Sequence, residues 1–289
     1  MNFFILMLSF LTFFSTNSFA CSEDGTEGLL EKNSLRIPAD QLVPTGISQE
    51  SFHKVIDSIV ELYQADAKEE GRVIEAQKDW ESAIVNAFAT RADGKMIIGM
   101  HGGLARHPAI TEEGFALVVC HELGHHFGGA PKKTFFIFRT FASNEGQSDY
   151  FATHRCLKRY FAKNPLKEKK IKVDPFLEAT CAKQFSDEKQ KEFCLRSSMA
   201  GFSVASLFHQ LRKERNLPSF KTPDSKVVTT TDHGHPATQC RLDTYFQGAL
   251  CKVDPSIKVS NSDPKPGNCY PEAAGTVAIG ERPLCWFKP

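Results

Sequence analysis

The chain has 289 residues, of which 35 are Lys or Arg and 34 are Asp or Glu, so its formal net charge is only +1. This balance excludes a protein that binds nucleic acid through bulk positive charge, and it equally excludes an acidic tail protein. With 41% hydrophobic and 24% charged residues, the composition is that of a folded globular chain. The length allows one large domain or two smaller ones.

The first twenty residues have the pattern of a secretory signal peptide. The apolar run FFILMLSFLTFF is too short to span a bilayer, and Ser18 and Ala20 supply small residues before a cleavage site. Cys21 follows directly, as in a lipoprotein signal, which leaves a lipid anchor on this cysteine open. No later segment reaches the ~18 apolar residues of a transmembrane helix. We expect an exported protein of bacterial type, in the periplasm, the outer envelope or the extracellular medium.

Export into an oxidising space makes the nine cysteines candidates for disulfide bonds. Because nine is odd, at least one cysteine lies outside any intramolecular bridge. Acylation of Cys21 would leave eight, whose pairing the sequence does not fix, since eight allow about 105 connectivities. Alternatively, Cys120 is a buried free thiol, because it lies in the apolar run FALVVC. No C-x-x-C pair occurs, which argues against a cysteine-only zinc site or a redox dithiol.

Hydrophobic spacing predicts a helix from Ser48 to about Trp80, which Gly71 breaks or bends. Two short apolar runs then flank Asp93-Gly94, the strongest short-range signal for a β-hairpin. These patterns predict five segments: a signal peptide (1–20), an irregular segment (21–46), a main domain (47–250), a charged insertion within it (163–195) and a cysteine-rich C-terminal extension (251–289).

The next predicted helix carries the chemistry. Thr111 is its candidate N-cap, and the helix runs through FALVVCHELGHHF to Gly128-Gly129. A further helix is predicted from Asn144 to about Tyr160, capped by Ser143. Residues 197–214 have the pattern of another amphipathic helix, and regular structure fades from Pro255 onward.

The sequence HELGH places His121 and His125 one helical turn apart, so both imidazoles leave the same face and can bind one zinc ion. Glu122 lies beside that face, where a carboxylate can take the proton of a zinc-activated water. In the next helix Glu145 completes a ligand set of two histidines and one carboxylate. Asp149, four residues later, can accept the distal N–H of a ligand histidine.

HELGH followed by NEGQSD resembles the gluzincin metallopeptidases, with thermolysin-like spacing. Three neighbouring segments resemble the HtpX-like, CAAX-prenyl-protease-type family within them. They are residues 86–104, then EGQSDYFA with Ser148 where alanine is usual, and finally His235-Pro236 followed by Arg241-Leu242.

The resemblance implies a zinc endopeptidase of α+β, minigluzincin-like fold. It implies a mainly helical scaffold around a small antiparallel sheet, with the metal helix beneath the sheet's substrate-facing edge. It further implies one Zn²⁺ per chain, a protein or peptide substrate, and Asn144 beside Asp149 as support for the ligands. His235 and Arg241 would steady the oxyanion. The strand pairing with substrate would be Asn86, Ala87, Phe88 and Ala89.

Three alternatives stay open at this point. In the first, His235-Pro236 forms a turn while Arg241 pairs with Asp232 or Asp243 at the surface. In the second, the protein is a zinc-bearing, chaperone-like envelope factor that rarely cuts its clients. In the third, it is a disulfide-stapled secreted binding protein with a vestigial site, which predicts no bound metal. The natural substrate and the oligomeric state do not follow from the sequence.

Overall fold

The computed structural model describes residues 18–19, 28–41, 46–135, 138–166, 173–270 and 277–289. Apart from Ser18 and Phe19, the predicted signal peptide lies outside these ranges, and so does Cys21. Within them, no helix is long and apolar enough to cross a membrane. The fold is α+β, as predicted.

The strands form a four-stranded sheet in the order β1-β3-β4-β2 and a separate two-stranded ribbon, β5-β6. They are β1 (Ser18–Phe19), β2 (Val73–Asp79), β3 (Ala87–Ala92), β4 (Lys95–His101), β5 (Lys132–Phe135) and β6 (Phe138–Ser143).

The Asp93-Gly94 hairpin is confirmed, because β3 and β4 pair antiparallel on either side of it. The expectation of a purely antiparallel sheet is wrong, since β2 runs parallel to β4. The prediction of one helix to about Trp80 is also wrong. Instead Gly71, with φ of +68°, lies just beyond the helix end, and the chain returns as an edge strand. The sequence of β2 is mostly polar, and this pattern also fits the solvent-facing side of a helix, which explains the wrong prediction.

Helices make up most of the regular structure in the described residues. They are α1 (Gln49–Glu69), α2 (Gly102–Ala105), α3 (Glu112–Phe127), α4 (Glu145–Phe151), α5 (Leu157–Lys163), α6 (Pro175–Gln184), α7 (Glu188–Leu211) and α8 (Thr238–Leu250). A π-helical turn, Ala152–Cys156, joins α4 to α5.

Helix α3 forms the centre of the core. Thr111 caps it as predicted, with its side chain accepting the Gly114 N–H at 3.0 Å. Its apolar residues pack with α1, α7 and the inner face of the sheet, where Ala87, Ala89 and Ile98 are buried. This packing holds the helix that carries His121 and His125 against the sheet, as the sequence led us to expect.

Helix α4 begins one residue later than predicted. Its N-cap is Asn144 rather than Ser143, because the Asn144 side chain accepts the Gln147 N–H at 2.9 Å. Ser143 ends β6 instead, and its hydroxyl donates to the Gly129 carbonyl at 2.7 Å. The cap places Glu145 at the first position of the helix, with its side chain fully buried.

Four disulfides cross-link the described chain: Cys120–Cys156, Cys181–Cys194, Cys240–Cys285 and Cys251–Cys269. The alternative of a free Cys120 thiol is therefore wrong. The apolar run around Cys120 predicted its burial but could not distinguish a free thiol from a disulfide, because the partner Cys156 is equally buried.

The charged segment 163–195 contains α6 and the first turns of α7, which Cys181–Cys194 ties together. Leu177 and Phe185 of this segment pack against α8. The C-terminal tail carries no helix or strand over its described parts, 251–270 and 277–289, in agreement with the sequence.

The C-terminal tail packs directly against the helix that bears Glu145. The Trp286 ring covers Gly146 so closely that a Cβ there would lie 2.2 Å from the ring. Arg282 Nε donates to Gln147 Oε1 at 2.7 Å, and the Tyr150 hydroxyl donates to the Gly280 carbonyl at 2.6 Å. The C-terminal tail thus packs along one side of α4 and fixes the position of this helix.

Candidate metal centre

Three side chains from two helices converge at the centre of the molecule. One nitrogen each from His121 and His125 and one carboxylate oxygen of Glu145 all lie within 4.8 Å of one another. His121 Nε2 is 3.2 Å from Glu145 Oε2, and His125 Nε2 is 3.7 Å from Glu145 Oε1. All three side chains are fully buried. The convergence of these three residues agrees with the prediction from the sequence, although the cap at Asn144 that helps to produce it was not predicted.

Each ligand histidine is anchored through its other nitrogen. His121 Nδ1 lies 2.7 Å from Asp149 Oδ1, the partner predicted from the i, i+4 spacing to Glu145. His125 Nδ1 lies 2.8 Å from the Ser143 carbonyl and 3.0 Å from Ser148 Oγ. A carboxylate or carbonyl at Nδ1 fixes the proton there, so the Nε2 lone pair of both rings faces the cluster.

Asp149 belongs to a buried network whose charges are paired. Arg241 Nε donates to Asp149 Oδ2 at 2.8 Å, and Arg241 Nη2 donates to Oδ1 at 2.7 Å. The Tyr245 hydroxyl also donates to Oδ1, at 2.8 Å. Burial alone would raise the pKa of Asp149, but the charges of Arg241 and His121 outweigh it and hold this pKa below its usual value. Asp149 therefore carries the charge that orients His121.

The Glu145 carboxylate has a second partner that the sequence did not reveal. Lys133 Nζ, from β5, donates to Glu145 Oε1 at 2.6 Å. Burial raises the pKa of Glu145, yet the Lys133 ammonium beside it outweighs burial and lowers this pKa well below its usual value. With one oxygen held by lysine, Oε2 is left facing His121 and can act as a single-oxygen ligand.

Buried atoms that lack hydrogen-bond partners show whether these residues fit a metal ion. Among the described residues, His121 Nε2, His125 Nε2 and Glu145 Oε2 are buried without a hydrogen-bond partner. Buried polar atoms are seldom left unsatisfied, because each one costs about 1–3 kcal/mol. Three such atoms that face one another, each with a lone pair, are the donor set of a divalent metal. The site therefore accommodates a metal, whose identity the donor set alone does not determine.

Glu122, next to His121 in the chain, has two more unsatisfied buried atoms. Both of its carboxylate oxygens are buried and have no hydrogen-bond partner within the described ranges. Burial raises the pKa of Glu122 to about 7, opposed by the charge of His121. A carboxyl group with a pKa near neutrality is suited to take up and return a proton at physiological pH.

His121 and His125 differ in charge when no metal is bound. Burial lowers the pKa of His121, but the carboxylates of Asp149 and Glu145 outweigh it and raise the pKa to about 9. For His125 burial dominates, and its pKa falls well below the usual value. His121 therefore has to lose a proton before its Nε2 can bind a cation, so metal binding releases a proton.

The structure places the two predicted oxyanion residues differently. His235 lies beside the ligands, with Nε2 3.6 Å from Glu145 Oε2, and its side chain is 21% exposed. Arg241 is fully buried behind His121, where both of its contacts to Asp149 orient the ligand. Neither Asp232 nor Asp243, the surface partners considered for Arg241, contacts its guanidinium among the described hydrogen bonds.

The predicted substrate strand lies next to this cluster. Ala87, Phe88 and Ala89 belong to β3, and Asn86 precedes it with a fully buried side chain. The Phe88 ring covers Gly99 on β4, where a Cβ would lie 2.0 Å from it, so glycine is required there. β3 is therefore packed closely against β4 at the paired residues Phe88 and Gly99.

Sequence reasoning missed several residues of the site. Tyr245 lies one helical turn after Arg241 on α8, a spacing that signals a shared face. Lys133 and Ser143 carry no motif and reach the site only through the β5–β6 ribbon. His154, on the π-helical turn, is fully buried with Nε2 3.1 Å from the Gly267 carbonyl.

Asp224, Cys240 and Cys285 also lie close enough to hold a metal. Cys240 and Cys285 are bonded to each other, so neither offers a thiolate. In comparisons with protein-family models, curated proteins and solved structures, nothing matches this chain. The resemblance to gluzincins therefore depends on the motifs alone, and the metal centre is inferred from its geometry.

Proposed function

We propose that the protein is a zinc-dependent endopeptidase that hydrolyses peptide bonds of exported or envelope proteins. The observation that carries the proposal is the buried cluster of His121, His125 and Glu145, with Glu122 next to His121 in the chain and buried without a hydrogen-bond partner among the described residues. Two imidazoles and one carboxylate leave a coordination position open, which is the donor set of catalytic rather than structural zinc sites.

When bound, zinc would supply a Lewis acid that activates water at neutral pH. His121, His125 and Glu145 would hold it, with Asp149 and Ser148 fixing the two imidazoles. Glu122 would take the proton of the attacking water on its carboxylate and later deliver a proton to the leaving amine nitrogen. Its unsatisfied oxygens and raised pKa support this role.

His235 is the residue best placed to donate a hydrogen bond to the developing oxyanion, because its Nε2 lies at the rim of the cluster and is partly exposed. Arg241 acts through Asp149 in this proposal, as a positioning residue for His121. Loss of one oxyanion donor typically lowers kcat about 10²–10³-fold. His235→Ala should therefore lower kcat more than it raises KM.

Export of the protein is part of the proposal. Four disulfides join eight cysteines, which favours an oxidising compartment such as the periplasm or the extracellular space. The signal-peptide pattern of residues 1–20 points the same way. Titration of free thiols in the denatured, non-reduced protein should find no more than one per chain.

The test of the enzymatic proposal is a peptide-digest assay on zinc-loaded protein and on Glu122→Gln. The amide keeps the shape of Glu122 but cannot accept the proton, so cleavage should fall at least about 10²-fold while zinc is retained. Glu113→Gln, on the same helix but bonded to Arg196, is the matched control and should cleave normally. Equal cleavage by Glu122→Gln would contradict the role of Glu122, and no cleavage by the zinc-loaded wild-type protein would favour the chaperone-like alternative.

A further inference from the structure

The chain's own N-terminal segment is already paired with residues 83–87, which lead into β3 and include its first residue, Ala87. Further along β3, Ser18 and Phe19 pair with Arg91 and Thr90. Residues 28–37, called here the N-terminal strap, run antiparallel to residues 83–87. Leu29 N donates to the Ala87 carbonyl at 3.0 Å, and Ile37 N donates to the Ala83 carbonyl at 2.8 Å. Between these two bonds, Arg36 forms a bridge with Ile84. The strap thus follows the chain from Ala87 back to Ala83 in antiparallel direction.

The start of the strap lies against the metal cluster. The Gly28 carbonyl is 2.7 Å from His235 Nε2, the nitrogen that is itself 3.6 Å from Glu145 Oε2. The Leu29 carbonyl accepts a hydrogen bond from Arg241 Nη1 at 2.9 Å. The strap therefore uses the backbone-binding donors that an extended peptide would need at this site.

The side-chain amide of Asn86 forms hydrogen bonds with the strap like those between neighbouring β-strands. Its Oδ1 accepts the Leu30 N–H at 3.0 Å, and its Nδ2 donates to the Leu30 carbonyl at 3.1 Å. This pair of bonds satisfies both backbone groups of one residue, whatever its side chain is. Asn86 is therefore a receptor for peptide backbone rather than for a particular sequence.

The strap also closes the site. Leu29 and Leu30 are 0% and 1% exposed, and they belong to the main core. His121, Glu122 and His125 are all fully buried in this arrangement. Gly28 lies so close to β3 that a Cβ would be 1.8 Å from the Ala87 carbonyl oxygen. Since backbone cannot yield cheaply, only glycine fits at this position.

We propose that the protein as folded here is latent, because the N-terminal strap occupies the backbone-binding groups of Asn86 and Ala87, where β3 begins, and has to leave before a substrate can pair there. This inference rests on the proposed peptidase function. The strap begins after the predicted signal peptide, so signal cleavage after Ala20 would leave it in place. Activation then requires a cut that releases the strap, or a competing strand. The substrate class that fits is an extended, unfolded polypeptide.

The experiment uses the full chain carrying Glu122→Gln, so that a bound probe is not cut. Gly28→Val should expel the strap, and Lys32→Val, at an exposed position of the same strap, is the matched control. The probe is a fluorescently labelled peptide with the sequence of residues 28–37, GLLEKNSLRI. Amide hydrogen exchange at Leu29 and Leu30 reports whether the strap is bound, independently of cleavage.

We expect protected Leu29 and Leu30 amides in the Glu122→Gln parent and in Lys32→Val, and rapid exchange in Gly28→Val. The probe should bind Gly28→Val at least tenfold more tightly than Lys32→Val. With Glu122 restored, Gly28→Val should hydrolyse an unfolded peptide digest at least tenfold faster than Lys32→Val. If Gly28→Val does not fold, the double variant Leu29→Ser/Leu30→Ser replaces it with the same expectations.

Three results would overturn the inference: unprotected strap amides in the parent, amides that stay protected in both strap variants, or a released strap without tighter probe binding. The second would make the strap a permanent wall of the core. Tight probe binding without hydrolysis in the zinc-loaded, Glu122-containing variant separates the two proposals. It would refute the peptidase function while leaving the competition between strap and peptide established.

Discussion

The buried polar centre has two halves that differ in how their atoms are satisfied. In the rear half, Asp149, Arg241 and Tyr245 pair their charges and hydroxyl with one another. In the front half, His121 Nε2 and His125 Nε2 face each other without hydrogen-bond partners among the described residues. The difference shows that the rear half is finished by folding, whereas the front half is complete only with a ligand.

The largest effect is expected in the rear half. Arg241→Met leaves the Asp149 charge buried without its main partner, so the free energy of unfolding should fall by about 3–5 kcal/mol. Denaturant unfolding at pH 7 measures it. Lys78→Met, which breaks the exposed pair with Asp57, should cost less than about 1 kcal/mol. Equal costs for the two variants would show that the rear network does not stabilise the fold.

Lys132 should give an effect of intermediate size. It is a buried lysine whose Nζ donates to the uncharged Phe141 carbonyl at 2.9 Å. Burial, assisted by the charge of Arg91, lowers its pKa to about 8. A lysine whose folded pKa is lowered contributes stability above its unfolded pKa, and this is lost as pH falls through 8. Relative to Lys132→Met, the wild-type free energy of unfolding should rise between pH 8 and about 10.5, by on the order of 3 kcal/mol. A constant difference across that window would contradict the assignment.

In the front half, the expected effect depends on metal. Zinc at a hundredfold of its Kd should raise the wild-type free energy of unfolding by about 2.7 kcal/mol, because only the folded state binds it. Glu145→Gln weakens the ligand and should lose most of that increase, measured as the difference between the zinc-loaded and zinc-free forms of the same variant. Glu113→Gln should keep the full increase. An undiminished zinc effect in Glu145→Gln would exclude Glu145 as a ligand.

The smallest effect is expected where an anchor is duplicated. Ser148→Ala removes one of the two partners of His125 Nδ1, but the Ser143 carbonyl remains at 2.8 Å. Zinc affinity should fall less than about tenfold, whereas Asp149→Asn, which weakens the anchor of His121, should lose about 10–100-fold. Calorimetric zinc titration of both variants measures the difference. A larger loss for Ser148→Ala would reverse the proposed importance of the two anchors.

The front half of the centre could be predicted from the sequence because its geometry is local. The i, i+4 spacing of His121 and His125 and of Glu145 and Asp149 fixes faces of helices, and Thr111 and Gly128 mark where one helix begins and ends. The rear half depends on α8, which arrives about a hundred residues later, so only the tertiary fold brings Arg241 to Asp149.

The remaining features had no local signal. Disulfide pairing depends on which buried layers meet, and the parallel pairing of β2 depends on a turn at Gly71 within a pattern that also fits a helix. The N-terminal strap was predicted as irregular, since residues 21–46 show no period. Its order comes from residues 83–87, about fifty positions away in the chain, to which it is joined by backbone hydrogen bonds.

The most direct test of the proposed metal centre is X-ray absorption at the zinc edge of the zinc-loaded protein, with Glu145→Ala measured in parallel. We expect one zinc per chain with only nitrogen and oxygen neighbours, at about 2.0–2.2 Å, and two imidazoles in the shell. Glu145→Ala should hold less zinc. Sulfur neighbours at about 2.3 Å, or a full zinc complement in Glu145→Ala, would place the metal elsewhere and contradict the proposed centre.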